Sequence, residues 1–224
     1  MTETKTDQAI EVTENGPYHV TGGIPLVRVR KVPGDRGSFT EWEVYETLET
    51  EDEYWLCRCG QSTGKPFCTG MHEKVGFDGT ETAPTDTYAE RAKVLGGTKT
   101  TVSDDRGICA HAAFCSNAAT NVWKAAPKTD DDPALTELVV GMVRNCPSGA
   151  LTYAVDGTPT EPDFRPEIRV QENGPYVLRG RIPVRRSDGQ PLEVRNRMSI
   201  CRCGGSGNKP LCDGTHNENG FTDG

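Results

Sequence analysis

Apolar and polar positions alternate in short stretches along this chain, the pattern of half-buried strands. Ile10-Glu-Val12 and Tyr18-His-Val20 lie on either side of Glu14-Asn-Gly-Pro. Ile168-Arg-Val170 and Tyr176-Val-Leu178 lie on either side of Glu172-Asn-Gly-Pro in the same way. Each set predicts two strands joined by a turn, since Asn-Gly-Pro is turn chemistry. Gly22, Ile24 and Pro25 then match Gly180, Ile182 and Pro183, so a β unit is repeated. The first copy carries a longer stretch between Tyr18 and Cys57 than the second does between Tyr176 and Cys201. The surplus reads as a longer hairpin around Pro33-Gly-Asp-Arg-Gly37. His19 falls on a predicted strand away from any cysteine and reads as an ordinary strand residue.

The segment between the copies has a different period. Leu135, Leu138, Val139, Met142 and Val143 follow i, i+3, i+4, i+7, i+8 spacing after Asp132-Pro133, which predicts a helix with proline at its first position. That stripe reads as a core face. The helix is expected to stop at Cys146-Pro147-Ser-Gly149, and Ala150-Leu-Thr-Tyr-Ala-Val155 reads as a strand. Pro127 to Pro133 reads as a loop, and Pro159 to Pro166 as a linker. The expected class is α+β: a β-rich pseudo-dimer from an internal repeat, with a small inserted α+β module. The expected domains are 9–80, 83–157 and 167–224.

Composition changes the picture in one respect. Hydrophobic residues are only 34%, with 25 glycines and 15 prolines, so apolar burial alone gives small loop-rich lobes little stability. The chain has nine cysteines, an odd number that excludes complete internal disulfide pairing. The opening Met-Thr-Glu-Thr-Lys-Thr-Asp-Gln lacks an apolar signal run, which predicts a reducing, cytoplasmic setting in which cysteine clusters read as metal sites. A net charge of −8 argues against nucleic acid as partner, and no stretch has the length of a membrane span. The basic stretches Arg28 to Lys31 and Arg179 to Arg186 read as solvated strand faces.

The cysteines carry the chemistry. Cys57-Arg-Cys59-Gly60, Ser62, Lys65-Pro66, Cys68, Gly70 and His72 return as Cys201-Arg-Cys203-Gly204, Ser206, Lys209-Pro210, Cys212, Gly214 and His216. Ligand atoms need fixed separations and their surroundings do not, so a metal loop repeats in this manner. Three thiols and an imidazole in one short loop suit either zinc or an iron–sulfur cluster, and the compact spacing favours the cluster. Asp213, and Thr69 in the first copy, read as N-caps of a short turn carrying the histidine.

Both loops resemble the CDGSH iron–sulfur domain, with the pattern C-x-C-x2-(S/T)-x3-P-x-C-D-G-(S/A/T)-H. The second copy matches throughout. The first departs at Thr69, in place of the aspartate, and at Met71, in place of the small residue. The resemblance implies a [2Fe–2S] cluster on Cys57, Cys59, Cys68 and His72, and another on Cys201, Cys203, Cys212 and His216. It also implies that the two copies form an internal pseudo-dimer, and so a monomer with an internal two-fold.

Cys109-Ala-His111-Ala-Ala-Phe-Cys115 with the distant Cys146-Pro147 resembles a divergent mono-cluster ferredoxin. Alanine stands at position 112, where a four-cysteine run would place its second ligand. The resemblance implies Cys109, Cys115 and Cys146 as ligands. Three thiolates suit [3Fe–4S]. His111 either supplies a ligand to a fourth iron, giving [4Fe–4S], or covers the vacant corner. All nine cysteines are then used. No Ser-His-Asp arrangement, phosphate loop or nucleotide fingerprint is evident, and Gly204-Gly205-Ser206-Gly207 reads as close backbone approach to the cluster. The leading expectation is one-electron transfer with redox partner proteins. Cluster storage or donation to an apo-acceptor is the alternative. An enzyme using the middle cluster as Lewis acid is weaker, because no acid–base pair accompanies it.

Overall fold

The computed structural model describes residues 7–35 and 38–223. Met1 to Thr6 of the opening segment, and Arg36 and Gly37 of the expected hairpin turn, lie outside the described residues. The first repeat gives β1 (Ala9–Val12), β2 (Tyr18–Thr21), β3 (Leu26–Pro33), β4 (Phe39–Leu48), β5 (Tyr54–Leu56) and a one-turn helix α1 (Met71–Lys74). The middle segment gives α2 (Tyr88–Arg91), β6 (Lys93–Gly96), β7 (Thr100–Asp104), α3 (Val122–Ala125), α4 (Pro133–Arg144), β8 (Leu151–Val155) and β9 (Thr158–Thr160). The second repeat gives β10 (Glu167–Gln171), β11 (Tyr176–Arg179), β12 (Val184–Arg185) and β13 (Arg197–Ile200).

The predicted strand pairs form in both copies, with Ile10 opposite Val20 and Ile168 opposite Leu178. The repeats then exchange strands. β1 pairs in parallel with β12, Ile10 opposite Val184, and β10 pairs in parallel with β3, Ile168 opposite Leu26. The resulting sheets run β12-β1-β2-β5 and β13-β11-β10-β3-β4, so each contains strands of both copies. One core fills the space between, including Ile10, Tyr18, Leu26, Ile168, Tyr176 and Ile200, all fully buried. Each such aliphatic side chain contributes roughly 1.5–3 kcal/mol of burial. Neither repeat holds this core alone.

The middle segment forms its own antiparallel sheet, β6-β7-β8-β9. α4 packs Val139, Met142 and Val143 against Val102, Leu151 and Tyr153. Its start is as expected: Pro133 opens it, and the Asp132 side chain accepts the Leu135 N–H at 3.0 Å. Leu138 departs from the expected core stripe. It is 37% exposed, because the helix packs on one side only and this flank faces an open groove. Pro127 to Pro133 is not an open loop. Most of it is a 3-10 turn over Ala126–Asp131, and Asp130 accepts the N–H groups of Thr98 and Lys99. Pro159 lies in β9, at a sheet edge where its missing N–H costs no ladder bond.

The extra length of the first copy is the β3–β4 hairpin, and it clasps the middle module. Trp42 donates its indole N–H to the Asn145 carbonyl at 3.1 Å, and Asn145 returns its amide to Thr40 O at 3.0 Å. The buried Phe114 ring sits 4.8 Å from Trp42 and 5.9 Å from Phe39. The basic stretches divide. Arg28 and Arg30 form cross-strand ion pairs with Glu46 and Glu43, as on a strand face. Arg186 is instead buried on Glu81, and half-buried Lys31 lies over the Phe39 ring. His19 stacks on Trp55 in its strand, with centroids 4.1 Å apart.

Candidate metal centres

Each C-x-C pair leaves the end of a strand, β5 in the first copy and β13 in the second. A bridge between Phe67 and Leu56, and between Leu211 and Ile200, folds the third cysteine back toward it. The Ser62 and Ser206 hydroxyls fasten each loop by donating to the carbonyls of Phe67 and Leu211, at 2.6 and 2.7 Å. Cys57 and Cys59 sulfurs then stand 3.8 Å apart, and Cys201 and Cys203 sulfurs 3.9 Å. The opposite side of each loop offers a sulfur and a ring nitrogen: Cys68 Sγ to His72 Nδ1 is 3.5 Å, and Cys212 Sγ to His216 Nδ1 is 3.4 Å.

These separations have a direct reading. With metal–thiolate bonds of about 2.3 Å and metal–imidazole bonds of about 2.0–2.1 Å, two sulfurs on one tetrahedral metal lie about 3.8 Å apart, and a sulfur and nitrogen about 3.5 Å apart. Each loop therefore offers two donor pairs, each the right width for one metal. Among the described residues, no three His, Cys, Asp or Glu side chains converge as donors to a single ion would. Paired donors suit a binuclear cluster, and the donor set fits it.

The thiols need a cation. In each close pair one thiol can donate to the other. The hydrogen bond from Cys59, joined by backbone N–H groups of Ser62 and Gly60, pushes Cys57 down to about 6 while Cys59 goes up. The hydrogen bond from Cys201 likewise pushes Cys203 down to about 6. Burial pushes Cys212 up to about 12, and Cys109 and Cys115 also go up on burial. A coordinating metal reverses this by deprotonating its thiols. Burial, with the charges of Lys31 and Arg202, pushes His216 down to about 4, which keeps the imidazole neutral and able to ligate.

The expected caps need correction. Gly70 and Gly214 stand at the N-cap positions, with left-handed φ of 78° and 92° and no side-chain cap bond. Asp213 precedes the cap and still organises the turn. It accepts the Thr215 N–H at 3.0 Å and the Gly207 N–H at 2.7 Å. Thr69 instead accepts the Thr63 N–H at 3.3 Å and pairs with the Ser62 hydroxyl, because a threonine hydroxyl is too short to serve both sides of the loop.

Two residue types in these loops escaped the sequence reading. Arg58 and Arg202, inside each C-x-C, are buried at 1% exposure. Arg58 donates to Thr13 O and Gly79 O, and Arg202 to Gln171 O and Gly174 O, so each pins its loop to its own Asn-Gly-Pro turn. Their identity in both copies was the available signal. The tyrosines after the turns cross over instead. The Tyr18 hydroxyl donates to Cys201 O at 2.8 Å, and the Tyr176 hydroxyl to Cys57 O at 3.0 Å. The loops meet directly through an antiparallel bridge between Cys59 and Cys203. A Cβ on Gly60 would lie 2.6 Å from Cys203 O, and one on Gly204 2.6 Å from Cys59 O, so only glycine lets the loops close to this distance.

The two lobes differ in access. His216 is buried at 6% exposure, whereas His72 is only partly covered and lines an open surface cavity with Glu14, Glu73 and Asp78.

The third centre lies at the seam of the two cores. Cys146 packs against both cores, Cys109 against the shared β core and Cys115 against the middle one. All three line one cavity of about 210 Å³, with Arg106, His111 and Ser148. Their spacing is set locally. Cys109 follows a 3-10 turn capped by Asp105, and the His111 N–H points to Cys109 Sγ at 3.4 Å. Cys146 and Ser148 follow the end of α4, Sγ to Oγ 3.8 Å. All nine cysteines are free.

No helix among the described residues is long and apolar enough to cross a membrane. In comparison with known proteins, the iron-binding zinc finger CDGSH-type family model matches residues 15–73 and again 173–217. The divergent 4Fe-4S mono-cluster model matches residues 95–156. A search of curated proteins finds no match. The paired donors in two crossed loops, and the cysteine-lined cavity between cores, thus coincide with the matched regions: this chain carries two CDGSH-type regions, a domain type that binds [2Fe–2S], flanking a divergent 4Fe–4S mono-cluster domain.

Proposed function

We propose that the chain is a one-electron carrier. Cys57, Cys59, Cys68 and His72 hold one [2Fe–2S] cluster, and Cys201, Cys203, Cys212 and His216 the other. Cys109, Cys115 and Cys146 hold a [3Fe–4S] cluster in the middle cavity. The observation that carries this reading is continuity. The two outer loops join backbone to backbone at Cys59 and Cys203, and the middle cavity abuts the second loop. Three centres in one packed body suit electrons better than substrates. Bound clusters supply reversible one-electron chemistry. The protein's own groups direct N–H donors at the sulfurs, hold His216 neutral and exclude water from the second loop. The reading includes a cytoplasmic monomer that meets redox partner proteins and no nucleic acid.

An anaerobic redox titration followed by EPR tests it. Three reversible one-electron steps with constant iron content are expected, and iron loss on each cycle would refute the carrier reading. One observation favours a second reading: His72 borders an open cavity, so the first cluster has an exit. Cluster donation predicts that incubation with an apo-ferredoxin moves intact [2Fe–2S] clusters from this lobe.

A further inference from the structure

The pseudo-two-fold is broken where the middle module meets the second loop. Gly70 and Gly214 hold matching places between the last cysteine and the histidine of each loop. A Cβ built on Gly70 meets nothing within 4 Å. A Cβ built on Gly214 would lie 2.7 Å from His111 Cδ2, 3.0 Å from its Cγ and 3.1 Å from its Cβ. His111 belongs to the middle module and lines the cavity of Cys109, Cys115 and Cys146. Its backbone takes a left-handed φ of 55°, uncommon for a side-chain-bearing residue, and Ala113 beside it has 67°. Neighbouring contacts hold this turn in place. The His111 N–H points to Cys109 Sγ, Lys31 Nζ reaches Ala112 O at 3.5 Å, and Asn208 donates to Gly107 O at 2.8 Å across the same seam. The Cδ2 edge of the imidazole therefore packs against Gly214, the residue between Cys212 and His216 in the second loop.

We propose that His111 is the positioning residue that couples the middle centre to the second CDGSH centre, giving the chain an ordered electron path from the middle through the second lobe to the first. This rests on the electron-carrier reading. The path follows the contacts. The middle module touches the second loop through His111, the second loop touches the first through Cys59 and Cys203, and the first presents its histidine beside an open surface cavity while that of the second is buried. One electron moves per step. The donor cluster is oxidised as the acceptor is reduced, and no bond is made or broken at the imidazole. The ring acts by filling the gap, because a void there would remove packed atoms between the two centres. Its role toward the middle cluster is cover and contact, not ligation.

Freeze-quench EPR of the holoprotein, after a sub-stoichiometric pulse from a photo-excited flavin, tests this in His111→Phe and His111→Ala. Phenylalanine keeps the ring and removes the nitrogens. In wild type and His111→Phe, the expected result is prompt electron equilibration between the middle and second centres, line broadening from their spin coupling, and unchanged iron content. In His111→Ala that exchange slows several-fold and the broadening diminishes, while exchange between second and first centres is unchanged. If alanine loses the middle cluster, His111→Asn, which shortens the side chain and tolerates the left-handed backbone, takes its place under the same two outcomes. Wild-type exchange in an iron-replete alanine variant overturns the proposal, and so does loss of iron or an altered middle-cluster line in the phenylalanine variant, which makes His111 a ligand. If wild type itself shows no reversible one-electron exchange, the carrier reading has failed, and the role of His111 is not what the result reflects.

Discussion

Tyr176→Phe should damage the cluster of the lobe to which Tyr176 does not belong. The hydroxyl is fully buried and donates to Cys57 O at 3.0 Å and Pro66 O at 2.9 Å. Pro66 O retains the Cys57 N–H at 2.8 Å after the change. Among the described residues Cys57 O has no other hydrogen bond, so the variant leaves one buried carbonyl unpaired beside a proposed ligand. That costs about 1–3 kcal/mol. Phenylalanine fills nearly the same volume, so little cavity term is added. If the cost falls on the cluster-bound state, first-cluster loss quickens by about tenfold for each 1.36 kcal/mol. Loss is followed by EPR of the reduced protein during incubation with a chelator. Cys68→Ser and Cys212→Ser variants, each lacking one outer cluster, assign the two signals. The first-lobe signal should decay faster, with the second unchanged. Tyr18→Phe should give the mirror result through Cys201 O. If Tyr176→Phe weakens the second-lobe cluster instead, or both equally, the crossed contacts do not stabilise the opposite loop and the reasoning fails.

Two further predictions follow from differences between the lobes. On acidification the first cluster should bleach before the second. His72 is only partly covered, whereas burial and the charges of Lys31 and Arg202 disfavour a proton on His216, so its neutral ligating form persists to lower pH; simultaneous bleaching of the two signals across an acid titration contradicts this. Thr69→Asp should lower the first cluster's potential toward that of the second. Burial pushes Asp213 up, but its Thr215 and Gly207 donors outweigh that and keep it ionised, and a nearby negative charge opposes adding an electron; a raised or unchanged potential in a resolved titration removes the charge argument.

The pairing of side chains within the two outer loops was legible in the sequence because each loop is local. Three cysteines and a histidine within one loop must be held by that loop, whatever lies around it. The strand pairs at the Asn-Gly-Pro turns and the start of α4 were legible for the same reason. Strand exchange was not. Ile10 opposite Val184 and Ile168 opposite Leu26 are parallel pairings across the repeats, and alternation in one strand carries no information about its partner. The role of the long first hairpin was also hidden, since local pattern does not show that its Phe39 and Trp42 meet Phe114 of the middle module. The cap expectation failed at Asp213 and Thr69 because the turn opens on a left-handed glycine. The exposed Leu138 shows that helical periodicity marks a stripe without fixing how much of it is covered.

The central claim is that each CDGSH loop uses its two donor pairs for two irons, and that three cysteines hold the cluster between the lobes. Mössbauer spectroscopy of anaerobically prepared iron-57 protein, with iron and sulfide counted per chain, tests it most directly. The account predicts two binuclear centres, each with one all-thiolate iron and one iron bearing an imidazole, alongside a three-iron centre with a near-isotropic EPR signal when oxidised. A single metal ion in each outer loop, or a four-iron centre in the middle, would contradict it.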